Sequence, residues 1–131
     1  MRNFPFKEEA YEITGICMEV HRILGYGFSE IVYKDAIELE ATGKGFLPER
    51  EKEFNVNYKG KILQHKFFAD FILFDTVILE IKACTGGIMD EHISQTLNYL
   101  KISGCSIGLV VNFSKRTLSK NALFSNLCKS E

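Results

Sequence analysis

The stretch that decides the fold reads Phe67-Phe68-Ala69-Asp70-Phe71-Ile72-Leu73-Phe74-Asp75-Thr76-Val77-Ile78-Leu79-Glu80-Ile81-Lys82-Ala83. Its period of two predicts a pair of antiparallel strands joined by a short turn centred on Asp75. With this pairing Asp70 lies opposite Glu80, and every charged residue of the strands falls on one face. A slip of one residue would separate the two carboxylates and bury one of them, so the pattern favours this register. The opposite, wholly apolar face would consist of Phe67, Ala69, Phe71, Leu73, Val77, Leu79, Ile81 and Ala83.

The opposed carboxylates of Asp70 and Glu80 are the unusual feature of this hairpin. Residues directly opposite on a sheet lie about 4.5–5.5 Å apart, so like charges there repel unless a cation lies between them. Mg²⁺ takes oxygen ligands from carboxylates, water and phosphate, and the Ile81 carbonyl is a candidate further ligand. Lys82 points to the same face, where it can stabilise an attacking water or the charge that develops on a phosphate. The pattern therefore indicates phosphodiester hydrolysis; the alternative is a solvated face with an incidental charge cluster.

Periodicity in the rest of the chain predicts a mixed sheet flanked by helices. A strand buried on both faces follows the third helix, which predicts a right-handed βαβ crossover and hence a parallel strand pair. Ser29 and Asp90 are the predicted N-caps of the second and third helices. We expect a single domain over residues 1–131. The predicted helices span residues 7–24, 29–42 and 90–103, and the further strands span 49–58 and 106–113. The predicted apolar positions of the second helix are Ile31, Val32, Ala36, Ile37 and Leu39.

The tail from Lys115 to Glu131 fits two interpretations. Apolar residues at loose helical spacing favour a helix, whereas residues 116–124 could equally form an edge strand. The helical pattern consists of Leu118, Ala122, Leu123 and Leu127.

Composition limits the classes of protein that fit. The 131 residues are 46% hydrophobic and 25% charged, as in a soluble globular protein, and no run approaches the length of a membrane span. A net charge of −1 argues against a surface devoted to nucleic acid but leaves room for a local patch. The widely spaced cysteines predict free thiols in a reducing cytoplasm rather than a zinc site, and Cys84 has no histidine partner nearby in sequence.

Two motifs resemble a known family. Asp70 with Glu80-Ile81-Lys82 resembles the signature of the PD-(D/E)XK nuclease superfamily, which has a restriction-endonuclease-like αβββαβ core. Gly27-Phe28-Ser29-Glu30-Ile31-Val32-Tyr33 resembles the motif that names the GxxExxY family. The likeness extends from about residue 10 to residue 113. Ala69 stands where the superfamily name has proline, a residue that donates no ligand.

The resemblance implies further roles. Glu30 would supply a third carboxylate for one or two Mg²⁺ or Mn²⁺ ions, and Gln95 and Tyr99, four apart on one helix, would contact substrate or orient Lys82. His21 and His92 are either outer contacts of the site or ordinary boundary histidines. The implied function is a divalent-metal-dependent nuclease acting on DNA rather than RNA. The alternatives are an inactive nucleic-acid- or protein-binding module with the same fold, and a site completed by a homodimer or a partner subunit.

Overall fold

The structure, a computed structural model, describes residues 6–125. Within that range five strands form one sheet in the order β1-β2-β3-β4-β5, with β3 and β4 parallel and the other neighbours antiparallel. This is the mixed, helix-flanked sheet expected of a restriction-endonuclease-like fold. No helix in the described range is long and apolar enough to cross a membrane. The elements are α1 (Lys7–Leu24), α2 (Glu30–Gly43), β1 (Glu49–Tyr58), β2 (Lys61–Leu73), β3 (Val77–Lys82), α3 (Asp90–Ser103), β4 (Ile107–Asn112) and β5 (Ser119–Phe124).

The helix ends follow their local chemistry, with one correction. Gly25 and Gly104 end α1 and α3 with φ of 71° and 76°, a conformation that glycine adopts without steric cost. Ser29 occupies the N-cap position of α2, although its side chain makes no capping hydrogen bond. The prediction that Asp90 caps α3 was wrong, because Met89 is the N-cap and Asp90 is the first helical residue.

Helices cover both faces of the sheet. The buried side chains of α1 and α2 pack with Leu79 and Leu109, whereas those of α3 pack with Ile78 and Val110 on the other face. The core stripe of α2 differs from the prediction, because Ile31 and Leu39 are exposed. The residues that α2 buries are Tyr33, Lys34, Ile37 and Ala41.

The predicted apolar face of β2 does not continue along the whole strand. Phe71 belongs to the core under α1 and α2, whereas Phe67 and Ala69 pack in the core under α3. The last backbone pair between β2 and β3 is Phe71 with Leu79, so residues before Asp70 pair with β1 alone. The two cores therefore divide β2 at Asp70, where its backbone pairing with β3 ends.

The tail forms an edge strand. β5 pairs antiparallel with β4, from Ile107 opposite Phe124 to Asn112 opposite Ser119. The edge-strand interpretation is therefore correct for this segment, and the helical one is wrong for it. Leu127, which belonged to the helical pattern, lies outside the described residues.

Candidate active site

The hairpin has the predicted register, but its backbone ladder stops at the two carboxylates. Leu73 pairs with Val77 and Phe71 with Leu79, which leaves Asp70 opposite Glu80 as the next position. At this position hydrogen bonds to the two carboxyl groups replace the backbone-to-backbone hydrogen bonds of the ladder. The Asp70 N–H donates to Glu80 Oε2 at 2.8 Å, and the Ile81 N–H donates to Asp70 Oδ2 at 2.7 Å.

These two bonds explain how the fold tolerates the opposed carboxylates. Asp70 and Glu80 are only 9% and 2% exposed, so each loses most of its hydration. A backbone N–H replaces part of that hydration at one oxygen of each group, because a charged acceptor makes a strong hydrogen bond. One oxygen of each carboxyl group, Asp70 Oδ1 and Glu80 Oε1, is left for another partner.

Burial changes the protonation of Glu80. Its removal from water, and then the negative charge of Asp70, raise the pKa of Glu80 from 4.5 to about 8. The Asp70 N–H and the ammonium groups of Lys82 and Lys34 act in the opposite direction without cancelling the rise. At neutral pH, without a metal ion, Glu80 therefore favours its neutral form.

Lys82 lies at the edge of the pair, as its position in the strand predicts. Its Nζ is 3.8 Å from Glu80 Oε1, and its side chain is 14% exposed. The ammonium group is therefore close enough to the carboxylates to act on a phosphate or a water bound beside them.

A second lysine enters the site from α2, and it was not among the predicted site residues. Lys34 is 9% exposed, and its Nζ lies 3.0 Å from Asp70 Oδ1. The same ammonium group pairs with Glu51 on β1. A signal existed in the sequence, because Lys34 precedes Ile37 and Ala41 on the buried stripe of the helix, where a charge requires a partner.

Glu51 completes what we term the carboxyl row, namely Glu51, Asp70 and Glu80 on three adjacent strands. The pairs Arg50–Phe71 and Lys52–Ala69 flank Glu51, so it lies opposite Asp70. Its φ of 54° is left-handed, which is uncommon for a residue with a side chain inside a strand. Simple strand alternation would place Glu51 on the same face as Glu53, and it does not predict a left-handed residue here.

The other predicted metal ligands are placed differently. The backbone of Ile81 is fixed at the site through its bond to Asp70. Glu30 is the half-buried first residue of α2. Within residues 6–125 no three His, Cys, Asp or Glu side chains are grouped so that they could hold a metal ion together. Glu30 is therefore not joined to Asp70 and Glu80 in such a group, and its role as a ligand stays a prediction.

The two predicted substrate contacts on α3 are in different surroundings. Gln95 is exposed. Tyr99 is only 4% exposed, and its ring lies 6.1 Å from that of Phe67. Burial and the negative charges of the carboxyl row, Glu80 foremost, raise the pKa of Tyr99 to about 12. Tyr99 is thus within electrostatic range of the row, whereas a role in substrate binding stays a prediction for both residues.

Both boundary histidines have structural partners. His92 Nδ1 accepts a hydrogen bond from the Met89 N–H at 3.0 Å and so caps α3. Its Nε2 lies 4.0 Å from Cys84 Sγ, so the fold supplies the histidine neighbour that the sequence did not suggest. His21 Nε2 donates to the Lys115 carbonyl at 2.8 Å.

The Gly27–Tyr33 segment builds the connection between α1 and α2. Gly27 has φ of 110°, a conformation in the turn that glycine adopts without steric cost. The Tyr33 hydroxyl donates to the Gly25 carbonyl at 2.7 Å and accepts from the Phe28 N–H at 3.3 Å. The Tyr33 ring stacks on the Phe113 ring with 4.6 Å between their centroids. This tyrosine therefore fixes the first turn of α2 and the position of the neighbouring Lys34.

The donor chemistry of the carboxyl row fits a hard divalent ion. Mg²⁺ is commonly held by one or two carboxylates, with water and substrate phosphate oxygens completing its coordination. Asp70 Oδ1 and Glu80 Oε1 are such oxygens, and each faces a lysine ammonium group, which is itself a cation. The residues present therefore fit a metal site in which positive charge is expected.

A groove of about 770 Å³ lies elsewhere, along α1. Its lining includes Tyr11, Met18 and the exposed ion pair of Glu19 with Arg22. None of the carboxyl row lines it. The buried, oppositely charged groups that could do chemistry are at the carboxyl row and not in this groove.

Solved structures and a family model resemble this chain. Among solved structures, the crystal structure of SSO0001 superposes with a TM-score of 0.59 at 22% identity, over 91% of this chain. The chain spans 59% of the length of that protein. An alkaline exonuclease from Laribacter hongkongensis (LHK-Exo) gives a TM-score of 0.49 at 12% identity, over 95% of this chain and 72% of its own. No curated protein sequence matches the chain. The sequence model of the PD-(D/E)XK nuclease superfamily matches residues 7–123. The chain belongs to the PD-(D/E)XK nuclease superfamily.

Proposed function

We propose that the chain is a divalent-metal-dependent nuclease of the GxxExxY family that hydrolyses phosphodiester bonds in DNA. One observation carries the proposal. Asp70 and Glu80 lie side by side, each with one oxygen bound by a backbone N–H and the other turned towards a cation. A pair of buried carboxyl groups with Lys82 beside them suits the binding of a metal ion and a phosphate together.

The proposed roles follow from this arrangement. Asp70 and Glu80, with the Ile81 carbonyl and Glu30, would hold one or two Mg²⁺ or Mn²⁺ ions. When bound, such an ion polarises a phosphoryl oxygen and stabilises the negative charge that develops during hydrolysis. Lys82, with its ammonium group 3.8 Å from Glu80, would stabilise the attacking water or the phosphate.

Substrate contact is assigned to α3. Gln95 is exposed, and Tyr99 lies within electrostatic range of the carboxyl row, so the helix could present both to a nucleic acid strand. DNA as the substrate is an inference from the resemblance. Among residues 6–125 the cysteines are free thiols, namely Cys17, Cys84 and Cys105. Free thiols support our proposal that this single-domain protein works in a reducing cytoplasm.

The test is a cleavage assay on single- and double-stranded DNA and RNA with Mg²⁺, with Mn²⁺ and with a chelator. We expect metal-dependent cleavage that falls by roughly a hundredfold or more in Asp70→Asn and in Lys82→Met. Asparagine keeps an acceptor for the Ile81 N–H, which limits damage to the fold. Lys44→Met, an exposed lysine that lines the groove along α1, is the matched control and should keep full activity. Cleavage that survives both site substitutions would place the reaction elsewhere.

The alternative is a nucleic-acid- or protein-binding module without catalysis. It is favoured by the fact that the described carboxylates of the site already have partners, namely Lys34 and backbone N–H groups, without a metal ion. Such a module would bind DNA with a strongly salt-dependent affinity and show no metal-dependent cleavage. Its melting temperature would also be indifferent to Mn²⁺, because an ion bound only to the folded state raises that temperature.

A further inference from the structure

We propose that the Lys34 ammonium group is a resident counter-ion of the carboxyl row, which a divalent ion must displace from Asp70 in order to bind. This inference rests on the metal site proposed above. It assigns Lys34 and Glu51, which belong to neither of the two recognised motifs, a role in setting the affinity for the metal ion.

The geometry leaves one oxygen of Asp70 for both cations. Asp70 Oδ2 accepts the Ile81 N–H at 2.7 Å, a bond that joins β2 to β3 where the ladder ends. Asp70 Oδ1 is the remaining oxygen, and Lys34 Nζ lies 3.0 Å from it. A metal ion bound to that oxygen would lie about 2.1 Å from it, next to the ammonium group, and two cations this close repel each other. The two cations therefore compete for the negative charge of one carboxylate.

Lys34 cannot leave by moving as a whole, because its backbone is fixed in α2. Its neighbour Tyr33 is fully buried and stacked on Phe113, and Ile37 and Ala41 continue the same buried stripe. Displacement must therefore take place by rotation of the flexible lysine side chain alone, which has four carbon–carbon bonds to turn.

Glu51 gives the displaced ammonium group a partner on the solvent side. Lys34 already pairs with Glu51 as well as with Asp70, and the Glu51 side chain is 49% exposed, against 13% for Asp70. By turning towards Glu51, Lys34 can release Asp70 without becoming an unpaired buried charge. The left-handed φ of Glu51 sets its carboxylate at this position.

The consequence is a lowered affinity for metal ions. In the metal-free protein Lys34 stabilises Asp70, and part of the binding free energy of an ion is spent in replacing that contact. Removal of the ammonium group should thus tighten metal binding while it destabilises the metal-free fold. A lysine that only held the fold together, or one that oriented Asp70 for the ion, would not produce this combination.

The experiment measures Mn²⁺ binding by isothermal titration calorimetry for wild type, Lys34→Met, Lys34→Arg and Lys52→Met. We expect Lys34→Met to lower the Kd on the order of tenfold, whereas Lys34→Arg, which keeps the charge, stays within about threefold of wild type. Lys52 pairs with Glu49 at the surface of the same strand as Glu51, so Lys52→Met should bind as wild type does. Equal or weaker binding by Lys34→Met would overturn the inference.

A second measurement needs no substitution, in case Lys34→Met fails to fold. The wild-type protein is treated with an amine-acetylating reagent with and without saturating Mn²⁺, and acetylation is read at each lysine by peptide mass spectrometry. Acetylation of Lys34 should increase several-fold with Mn²⁺, while that of Lys52 does not change. A Lys34 reactivity that is unchanged or reduced by Mn²⁺ would refute displacement.

The outcomes separate this inference from the proposed function. If wild type binds Mn²⁺ and Lys34→Met binds it no more tightly, the role of Lys34 fails and the metal site stands. If only Lys34→Met binds Mn²⁺, Lys34 blocks the site, and the wild-type chain is not the metal-dependent enzyme proposed above. If neither binds, both proposals are refuted.

Discussion

Replacement of Glu80 by glutamine should remove a large pH dependence from the stability of the metal-free protein. The folded chain holds the Glu80 proton because burial and Asp70 raise the pKa of this carboxyl group from 4.5 to about 8. The unfolded chain releases that proton near pH 4.5. Between these values the unfolded state binds fewer protons, so the free energy of unfolding falls as the pH rises.

The magnitude follows from the two pKa values. One pKa unit corresponds to about 1.36 kcal/mol, so Glu80 alone lowers the free energy of unfolding by about 1.4 kcal/mol per pH unit inside the window. Between pH 5.5 and 7.5 this amounts to about 3 kcal/mol, and the full window gives roughly 5 kcal/mol as an upper value. Glu80→Gln keeps an oxygen to accept the Asp70 N–H, yet it cannot ionise.

The assay is urea unfolding followed by circular dichroism at pH 5.5, 6.5 and 7.5, with a chelator present. The quantity of interest is the stability of Glu80→Gln minus that of wild type, since titrating groups that do not interact with Glu80 cancel in this difference. It should grow in favour of the variant by about 1.4 kcal/mol for each pH unit. Glu12→Gln, at an exposed position on α1, is the control and should run parallel to wild type. If the free energy of unfolding of Glu80→Gln also ran parallel to that of wild type across these pH values, Glu80 would be ionised throughout, and the reasoning would be refuted.

Three further predictions concern the rest of the fold. Gly108→Ala would put a Cβ 2.7 Å from Thr96 Cγ2. We expect this contact to lower the free energy of unfolding, measured in urea, by about 1–3 kcal/mol. An unchanged unfolding midpoint would show that α3 moves away freely. Tyr33→Phe removes both hydroxyl hydrogen bonds of the α1–α2 turn and should lower the free energy of unfolding by about 1–3 kcal/mol with the fold intact by circular dichroism; no loss would show that the two bonds contribute nothing. Burial raises the pKa of the Cys17 thiol to about 12, so this thiol should react slowly with iodoacetamide at pH 8. Half-buried Cys84 should be labelled well before Cys17, as read by peptide mass spectrometry. The reverse order would contradict the buried packing of α1.

The elements were predictable because their signals are local. The bounds of α1, α3 and β1 follow from periodicity and from glycine stops, and the hairpin register follows from where its charges lie. The exposed apolar residues of α2 were wrongly assigned to the core. Periodicity identifies an apolar position but not the neighbour that would cover it, and for Ile31 and Leu39 there is none among the described residues.

The site was predictable only along one hairpin. Asp70, Glu80 and Lys82 are linked by strand parity, so the sequence brings them together without knowledge of the rest of the fold. Lys34 and Glu51 meet Asp70 across 36 and 19 positions of sequence, through the packing of α2 and a left-handed residue in β1. Neither contact follows from a local pattern, although a lysine on a buried helical stripe is a sign that an acidic partner exists.

The carboxyl row shows how a chain can keep two carboxyl groups side by side without a metal ion. The backbone N–H groups of Asp70 and Ile81 each stabilise one carboxyl group, a proton on Glu80 removes one charge, and Lys34 balances another. The N–H bonds can persist when a metal ion binds, because they use the oxygens turned away from it. The proton and the ammonium group cannot, because they neutralise the charge that the ion requires. Metal binding at this row should therefore be coupled both to loss of the Glu80 proton and to movement of Lys34, and the first coupling makes the affinity for the ion rise with pH.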